Sequence, residues 1–224
     1  MPFYHRLGNI PPKRHTQFRK ADGNLYAEEL VSTLGFSSVY SLVYHCHPPT
    51  LVKDIGEAWS VEPDYVLKKN MQNRSFITFK TKPEADYLKS RVVLMGNQDF
   101  TVSSAAPTKG TTYYFVKNAD ADEVIFVHEG SGKLLTVYGE IDFEYGDYLV
   151  IPRGTIYKIH FDTPTNRLFI TESFSPIVTP KRYRNEFGQL LEHSPFCERD
   201  IKLPQNLQTH DEQGDFKVMI KKQN

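Results

Sequence analysis

Glu123 and Tyr157 each stand at a set distance from a run of turn-forming residues. A carboxylate and a tyrosinate are both groups that can bind iron when further ligands join them. Glu123 is separated from Gly130 by six residues, and Tyr157 closes the segment Gly146, five residues, Pro152-Arg153-Gly154-Thr155-Ile156-Tyr157. An oxygenase iron takes two imidazoles and one carboxylate and keeps positions open for substrate and oxygen. These segments offer the carboxylate without the imidazoles, and Lys117 nearby would repel a cation. The pair alone is two ligands short of such a site, and no catalytic, cofactor-binding or metal-binding residue is expected in this chain. A carboxylate left without its metal needs a donor such as Tyr157 or Lys117, or access to solvent.

Other groups compete for attention. His45-Cys46-His47 is the single His-x-His, and on a strand both imidazoles would share a face, a plausible metal grip. Pro48 and Pro49 follow at once, however, and Asp54 and Glu57 lie seven or more positions on, which favours a structural role and leaves His45 and His47 as the alternative metal pair. His128, between Val127 and Glu129, has the type of a general base, although a satisfied histidine at the rim of a core is commoner. His5, Arg6, Lys13, Arg14, His15, Arg19 and Lys20, with Phe3, Tyr4 and Phe18 as stacking platforms, have the composition of a phosphate-binding arm. Phosphate-loop, dinucleotide and nucleophile-elbow motifs are missing, and neither Cys46 nor Cys197 has a nucleophile's surroundings.

The elements that must position these groups read as mainly β. Aromatic residues reach 13%, and Phe, Tyr, Val, Ile and Thr suit a pleated, half-buried surface. From Thr111 to Glu172, β-rich runs alternate with Gly130-Ser131-Gly132, Gly139-Glu140, Gly146-Asp147, Pro152-Arg153-Gly154 and Pro164-Thr165-Asn166. Turn signals this close predict an antiparallel barrel or jelly roll with Glu123 and Tyr157 facing one interior. Both faces of 123–128 carry apolar groups, so that strand should lie inside a sheet. Upstream the chain is irregular, with strands expected at Ser75–Phe79 and Arg91–Met95. Thr81-Lys82-Pro83-Glu84 has the form of a capping box, which predicts a short helix over 83–90. Downstream, a helical turn is expected around Asn185–Leu191, and Phe216, Val218 and Ile220 alternate as a strand exposing an apolar patch. Three regions follow: an arm and packing strands over 1–105, the barrel over 106–180, and a tail over 181–224.

Bulk properties exclude several classes. Lys and Arg number 27 against 27 Asp and Glu, so no global field draws the chain to nucleic acid or anionic membrane. The basic arm then reads better as a surface packed on a neighbouring subunit. Two cysteines, no apolar run long enough to span a bilayer and no leader-like start predict a cytoplasmic protein with reduced thiols.

The spacings around Glu123, Gly130, Gly146, Pro152, Gly154 and Tyr157 resemble the two signatures of cupin barrels. Where metal-binding cupins carry two histidines before the glutamate this chain has Val116-Lys117-Asn118-Ala119, and Tyr157 takes the place of the later histidine. Several separated blocks are similar to bacterial homogentisate 1,2-dioxygenases, among them Tyr4-His5-Arg6-Leu7-Gly8, Leu25-Tyr26-Ala27-Glu28-Glu29-Leu30, 122–132, 146–155 and Ser194-Pro195-Phe196-Cys197-Glu198-Arg199-Asp200. The resemblance implies an enzyme that opens homogentisate with oxygen to maleylacetoacetate in tyrosine and phenylalanine catabolism. It also implies ferrous iron on two histidines and a glutamate, a further histidine as base, and hexamers built from trimers. Those residues belong to a second cupin C-terminal to Asn224, so the chain is expected to be a scaffold half, inactive alone. The alternative is a self-standing, metal-free cupin that binds a small molecule.

Overall fold

The computed structural model describes residues 7–9, 17–32, 34–37, 40–49, 51–66 and 72–222. Two compact units result, one formed by Pro11–Ile77 and the other by Met1–Ile10 with Thr78–Asn224.

The smaller unit is built on a hairpin of β1 (Ala27–Ser32) and β2 (Tyr40–His45), antiparallel with Ala27 opposite His45 and Ser32 opposite Tyr40. Phe18 stacks on Tyr26 and meets Tyr44 edge-on, both at 5.0 Å, which gives the hairpin a small aromatic anchor. Residues 51–66 have no regular structure and leave Leu51, Val52, Ile55 and Val66 at least three-quarters exposed.

The larger unit is mainly β, a cupin-type jelly roll. Its strands are β3 (Arg91–Gly96), β4 (Phe100–Ala105), β5 (Phe115–Asn118), β6 (Asp122–Glu129), β7 (Gly132–Thr136), β8 (Gly139–Phe143), β9 (Tyr148–Ile151), β10 (Ile156–Phe161), β11 (Arg167–Ser173) and β12 (Val218–Lys221). They form two five-stranded sheets, in the orders β3-β4-β11-β6-β9 and β12-β5-β10-β7-β8. The turn residues mark where the chain changes sheet: Gly130 between β6 and β7, Gly146 between β8 and β9, Gly154 between β9 and β10, Asn166 between β10 and β11. Gly130 sits at φ +105°, and a Cβ there would lie 2.1 Å from Asn166 Oδ1, so only glycine makes this corner.

Period-two alternation sends Ile125 and Val127 of β6, Ile170 of β11, and Tyr157 and Ile159 of β10 into one core between the sheets. Each fully buried side chain of this size contributes about 1.5–3 kcal/mol. β6 lies between β11 and β9, an interior strand as its two apolar faces suggest. Among the described residues the strand-to-strand pairings are antiparallel except β12 with β5, which run parallel.

Three expected elements take another form. No helix occupies 83–90: Thr81 Oγ1 bonds Ser104 Oγ at 2.8 Å instead of capping, Glu84 bridges to Pro107, and only a single turn follows, closed by Ser90 N to Asp86 O at 2.9 Å. Ser75–Phe79 is not a strand; it is irregular up to a 3-10 turn at Thr78–Lys80, with Phe76, Ile77 and Phe79 exposed. Around Asn185–Leu191 the chain folds into a tight loop, not a helical turn. Asn185 Oδ1 accepts from the backbone of Phe187 at 2.9 Å and Gln189 at 3.0 Å, a local bond that competes with helix formation. No helix of the described residues is long and apolar enough to cross a membrane.

Candidate functional site

Glu123 and Tyr157 meet inside the barrel. Glu123 enters from β6 on the same face as Ile125 and Val127, and Tyr157 enters from β10 on the same face as Ile159 and Phe161. The Tyr157 hydroxyl donates to Glu123 Oε2 at 2.9 Å, and both residues are at most 1% exposed. Asp122, the neighbour of Glu123, accepts from the backbone N–H of Arg153 at 2.8 Å and of Ile177 at 2.7 Å. It thereby holds the Pro152–Gly154 corner that aims β10.

The centre of the cluster is a residue outside both signatures. Arg91, the first residue of β3, donates from Nη1 to Glu123 Oε1 at 2.6 Å. Its Nη2 donates to the Tyr87 hydroxyl at 2.6 Å and to the Tyr157 hydroxyl at 3.2 Å. The guanidinium also lies 4.7 Å from the centroid of the Tyr87 ring. Lys117, expected as a donor, is not the partner: on β5 Val116 and Asn118 face the core and Lys117 alternates away from it.

A second carboxylate completes the arrangement. Glu172 of β11 is directly opposite Glu123 in the strand register, a placement in which like charges repel. Lys221 Nζ of β12 donates to both its oxygens at 2.8 and 2.7 Å, Asn118 Nδ2 donates at 2.7 Å and Thr101 Oγ1 at 3.0 Å. Arg91 Nη1 lies 3.8 Å from Glu172 Oε1, so the guanidinium stands between the two acids. Two buried carboxylates are thus matched by two cations.

Protonation follows from this packing. Burial opposes the charge on Arg91, but attraction to Glu123, then to Tyr87, Tyr157 and Glu172, more than offsets it and raises the guanidinium well above its ordinary value. Burial, reinforced by Glu123, pushes the Tyr157 phenol well above 10.0, and Tyr87 also rises through burial. Glu172 is pulled down from 4.5, because Arg91 and Lys221 outweigh its own burial. Tyr157 is a neutral donor at neutral pH, not a tyrosinate.

The model of the homogentisate 1,2-dioxygenase N-terminal family matches residues 6–224. The chain belongs to that family. A protein of Saccharolobus solfataricus that carries a provisional dioxygenase name is 42% identical over 221 residues, covering 99% of this chain and 56% of its own length. The homogentisate 1,2-dioxygenase of Bradyrhizobium diazoefficiens is 30% identical over 76 residues, 34% of this chain and 17% of that enzyme. This chain therefore spans about half or less of the curated relatives it matches. Among solved structures, a cupin-2 domain protein of Shewanella frigidimarina aligns with TM-score 0.33 and 24% identity over 38% of this chain and 79% of its own. A conserved Streptococcus pyogenes protein aligns with TM-score 0.37 and 14% identity over 51% and 97%.

An iron ion, which the family resemblance implies, does not fit this cluster. A guanidinium nitrogen stands 2.6 Å from Glu123 Oε1, where a metal would have to sit, and the phenol beside it keeps its proton. Among the described residues no three His, Cys, Asp or Glu side chains gather closely enough to hold a metal.

His45, at the end of β2, pairs through Nε2 with Glu29 Oε2 at 2.8 Å, a contact the sequence reading did not anticipate. His47 is exposed beyond the strand end. His128 points outward from β6, where its ring meets Phe79 at 4.8 Å and Phe126 at 5.8 Å. Of the basic arm, His5, Arg6, Lys13, Arg14 and His15, with Phe3 and Tyr4, lie outside the described residues. Arg19 donates to Gly23 O at 2.8 Å and to Gln17, and Lys20 to Cys46 O at 2.5 Å, so these two cations serve their own hairpin. Cys46 and Cys197 form no disulfide.

Arg91, Tyr87, Glu172 and Lys221 were missed by sequence reasoning. An arginine opening the apolar run Arg91-Val92-Val93-Leu94-Met95 was the available signal, since a charge at the head of a core strand needs a partner.

Proposed function

We propose that this chain is the N-terminal scaffold half of a dioxygenase that opens the ring of homogentisate with oxygen to give maleylacetoacetate, in tyrosine and phenylalanine catabolism. In this reading the ferrous iron and the catalytic residues belong to a second barrel outside these 224 residues, and the present barrel braces it. The observation that carries the reading is the replacement of the cupin ligand set by a charge-balanced Arg91–Glu123–Tyr157–Glu172–Lys221 cluster inside a family barrel. Against a self-standing binding module stands the packing: Tyr87, Tyr157, Ile125, Ile159 and Ile170 are each at most 1% exposed and fill the space a ligand would need.

The same reading places the chain in a cytoplasmic homo-oligomer, a trimer or hexamer, with no nucleic-acid or membrane partner. Phe216 and Ile220, 62% and 57% exposed beside the half-buried Val218, supply part of an apolar surface suited to such packing.

Oxygen uptake tests the proposal. The 224-residue chain with excess ferrous iron should consume oxygen with homogentisate no faster than free iron does. Joined to the remainder of the Saccharolobus relative, it should turn over homogentisate in preference to other dihydroxyphenyl acids. Turnover by the chain alone would overturn the scaffold role, and preference for another acid would overturn the substrate.

A further inference from the structure

The cluster in the barrel has the composition of a cation site. Oxygens of Glu123, Tyr87 and Tyr157 surround one end of Arg91 at 2.6, 2.6 and 3.2 Å, and Glu172 approaches to 3.8 Å. The ligands face inward from four different parts of the fold: β6, β10, β11 and the turn before β3. What they enclose is the side chain's own charge. The Arg91 side chain is 13% exposed, and its Nε is buried without a hydrogen-bond partner. The oxygens have collected around the terminal nitrogens and left the rest of the fork unserved, as they would around a cation delivered from outside. An arginine placed only for strand stability would be expected to satisfy all of its donors or to reach water.

We infer that Arg91 is the resident cation of this barrel, standing in for the ion that metal-holding cupins bind, and that the pocket it leaves when truncated is a binding site for free guanidinium. The inference rests on the cluster alone and does not depend on the ring-cleavage reading. It gives a physical reason for the missing histidines: imidazoles would have no ion to hold once the charge was covalently attached to β3. Lys221 cannot substitute, because its ammonium is already committed to both oxygens of Glu172.

Chemical rescue tests it. Arg91→Ala in the 224-residue chain should lower the thermal midpoint by roughly 10 °C, the loss expected when a buried carboxylate is deprived of its partner. Guanidinium chloride at about 20 mM should then raise the midpoint of Arg91→Ala by a few degrees relative to equal sodium chloride, by linkage of binding to folding. The same addition should leave the wild type unchanged or slightly less stable, since guanidinium is otherwise a denaturant. A guanidinium response identical in the two proteins would overturn the proposal. Should Arg91→Ala fail to fold, Arg91→Met and the double variant Arg91→Met/Glu123→Gln decide the matter. A resident cation predicts that neutralising Glu123 restores a large part of the lost midpoint. A further loss in the double variant means Arg91 only packs, and the inference fails.

Discussion

The barrel interior and the β1–β2 hairpin both contain groups that suit a metal, and they resolve them in opposite ways. In the barrel, Glu123 and Glu172 are buried, so each needs a cation, and the fold delivers Arg91 from one edge and Lys221 from the other. In the hairpin, His45 and Glu29 are 22% and 39% exposed, so water shares the task and a single 2.8 Å contact suffices. Burial, more than ligand type, decides whether a polar group must be answered by a partner. The comparison predicts large effects in the barrel and small ones in the hairpin.

The largest should come from Arg91→Met. It leaves two facing carboxylates with one cation, at a cost of about 3–5 kcal/mol. Arg19→Met in the hairpin should change stability by no more than about 0.5 kcal/mol. Urea unfolding midpoints would measure both, and equal losses would break the contrast. Next, Ile125→Ala should cost about 2–5 kcal/mol by leaving a cavity between the sheets. Leu42→Ala in β2, where the leucine is 47% exposed, should approach neutrality. Tyr157→Phe removes one donor to Glu123 while Arg91 remains, for a loss of about 1–3 kcal/mol.

The pH dependence sharpens the same contrast. Glu172 is more acidic folded than its ordinary 4.5, so its stabilisation is present above that value and lost as pH falls below it. Tyr87 and Tyr157 are less acidic folded than 10.0, so their contribution is present below 10.0 and lost as pH rises above it. Stability should therefore show a plateau with an acid and an alkaline limb. Glu172→Gln should flatten the acid limb and Tyr157→Phe the alkaline one; limbs unchanged by both substitutions would place the titration elsewhere.

Much of the barrel was legible because its signals are local. Gly130, Gly146 and Gly154 announce corners, the alternation at 123–128 announces a sheet face, and together they bring Glu123 to Tyr157. The cluster's centre was not legible, because Arg91 and Glu123 are joined only by the pairing of β3 through β4 and β11 to β6. The expected helix over 83–90 failed for a related reason: the hydroxyl of Thr81 had a better partner in Ser104, 23 positions away. Local capping chemistry gave way to a bond that exists only in the folded barrel. Around Asn185 the opposite happened, and a side chain's bonds to its own backbone overrode a weak helical pattern.

The smallest effect should be at His45. Its contact with Glu29 spans two strands of a hairpin that also has backbone pairing along its whole length and the Phe18–Tyr26–Tyr44 anchor. A side-chain contact this exposed is worth at most about 1 kcal/mol. His45→Ala should thus shift the unfolding midpoint only slightly, and Glu29→Gln by a similar amount. The double variant should lose little more than either alone, since both remove one interaction. His47 lies beyond the end of β2, and among the described residues no three His, Cys, Asp or Glu side chains gather closely enough to hold a metal. Purified protein should therefore bind zinc no more tightly than His47→Ala does. Stoichiometric zinc that is lost in His47→Ala would show that the hairpin, and not the barrel, holds the metal-binding residues of this chain.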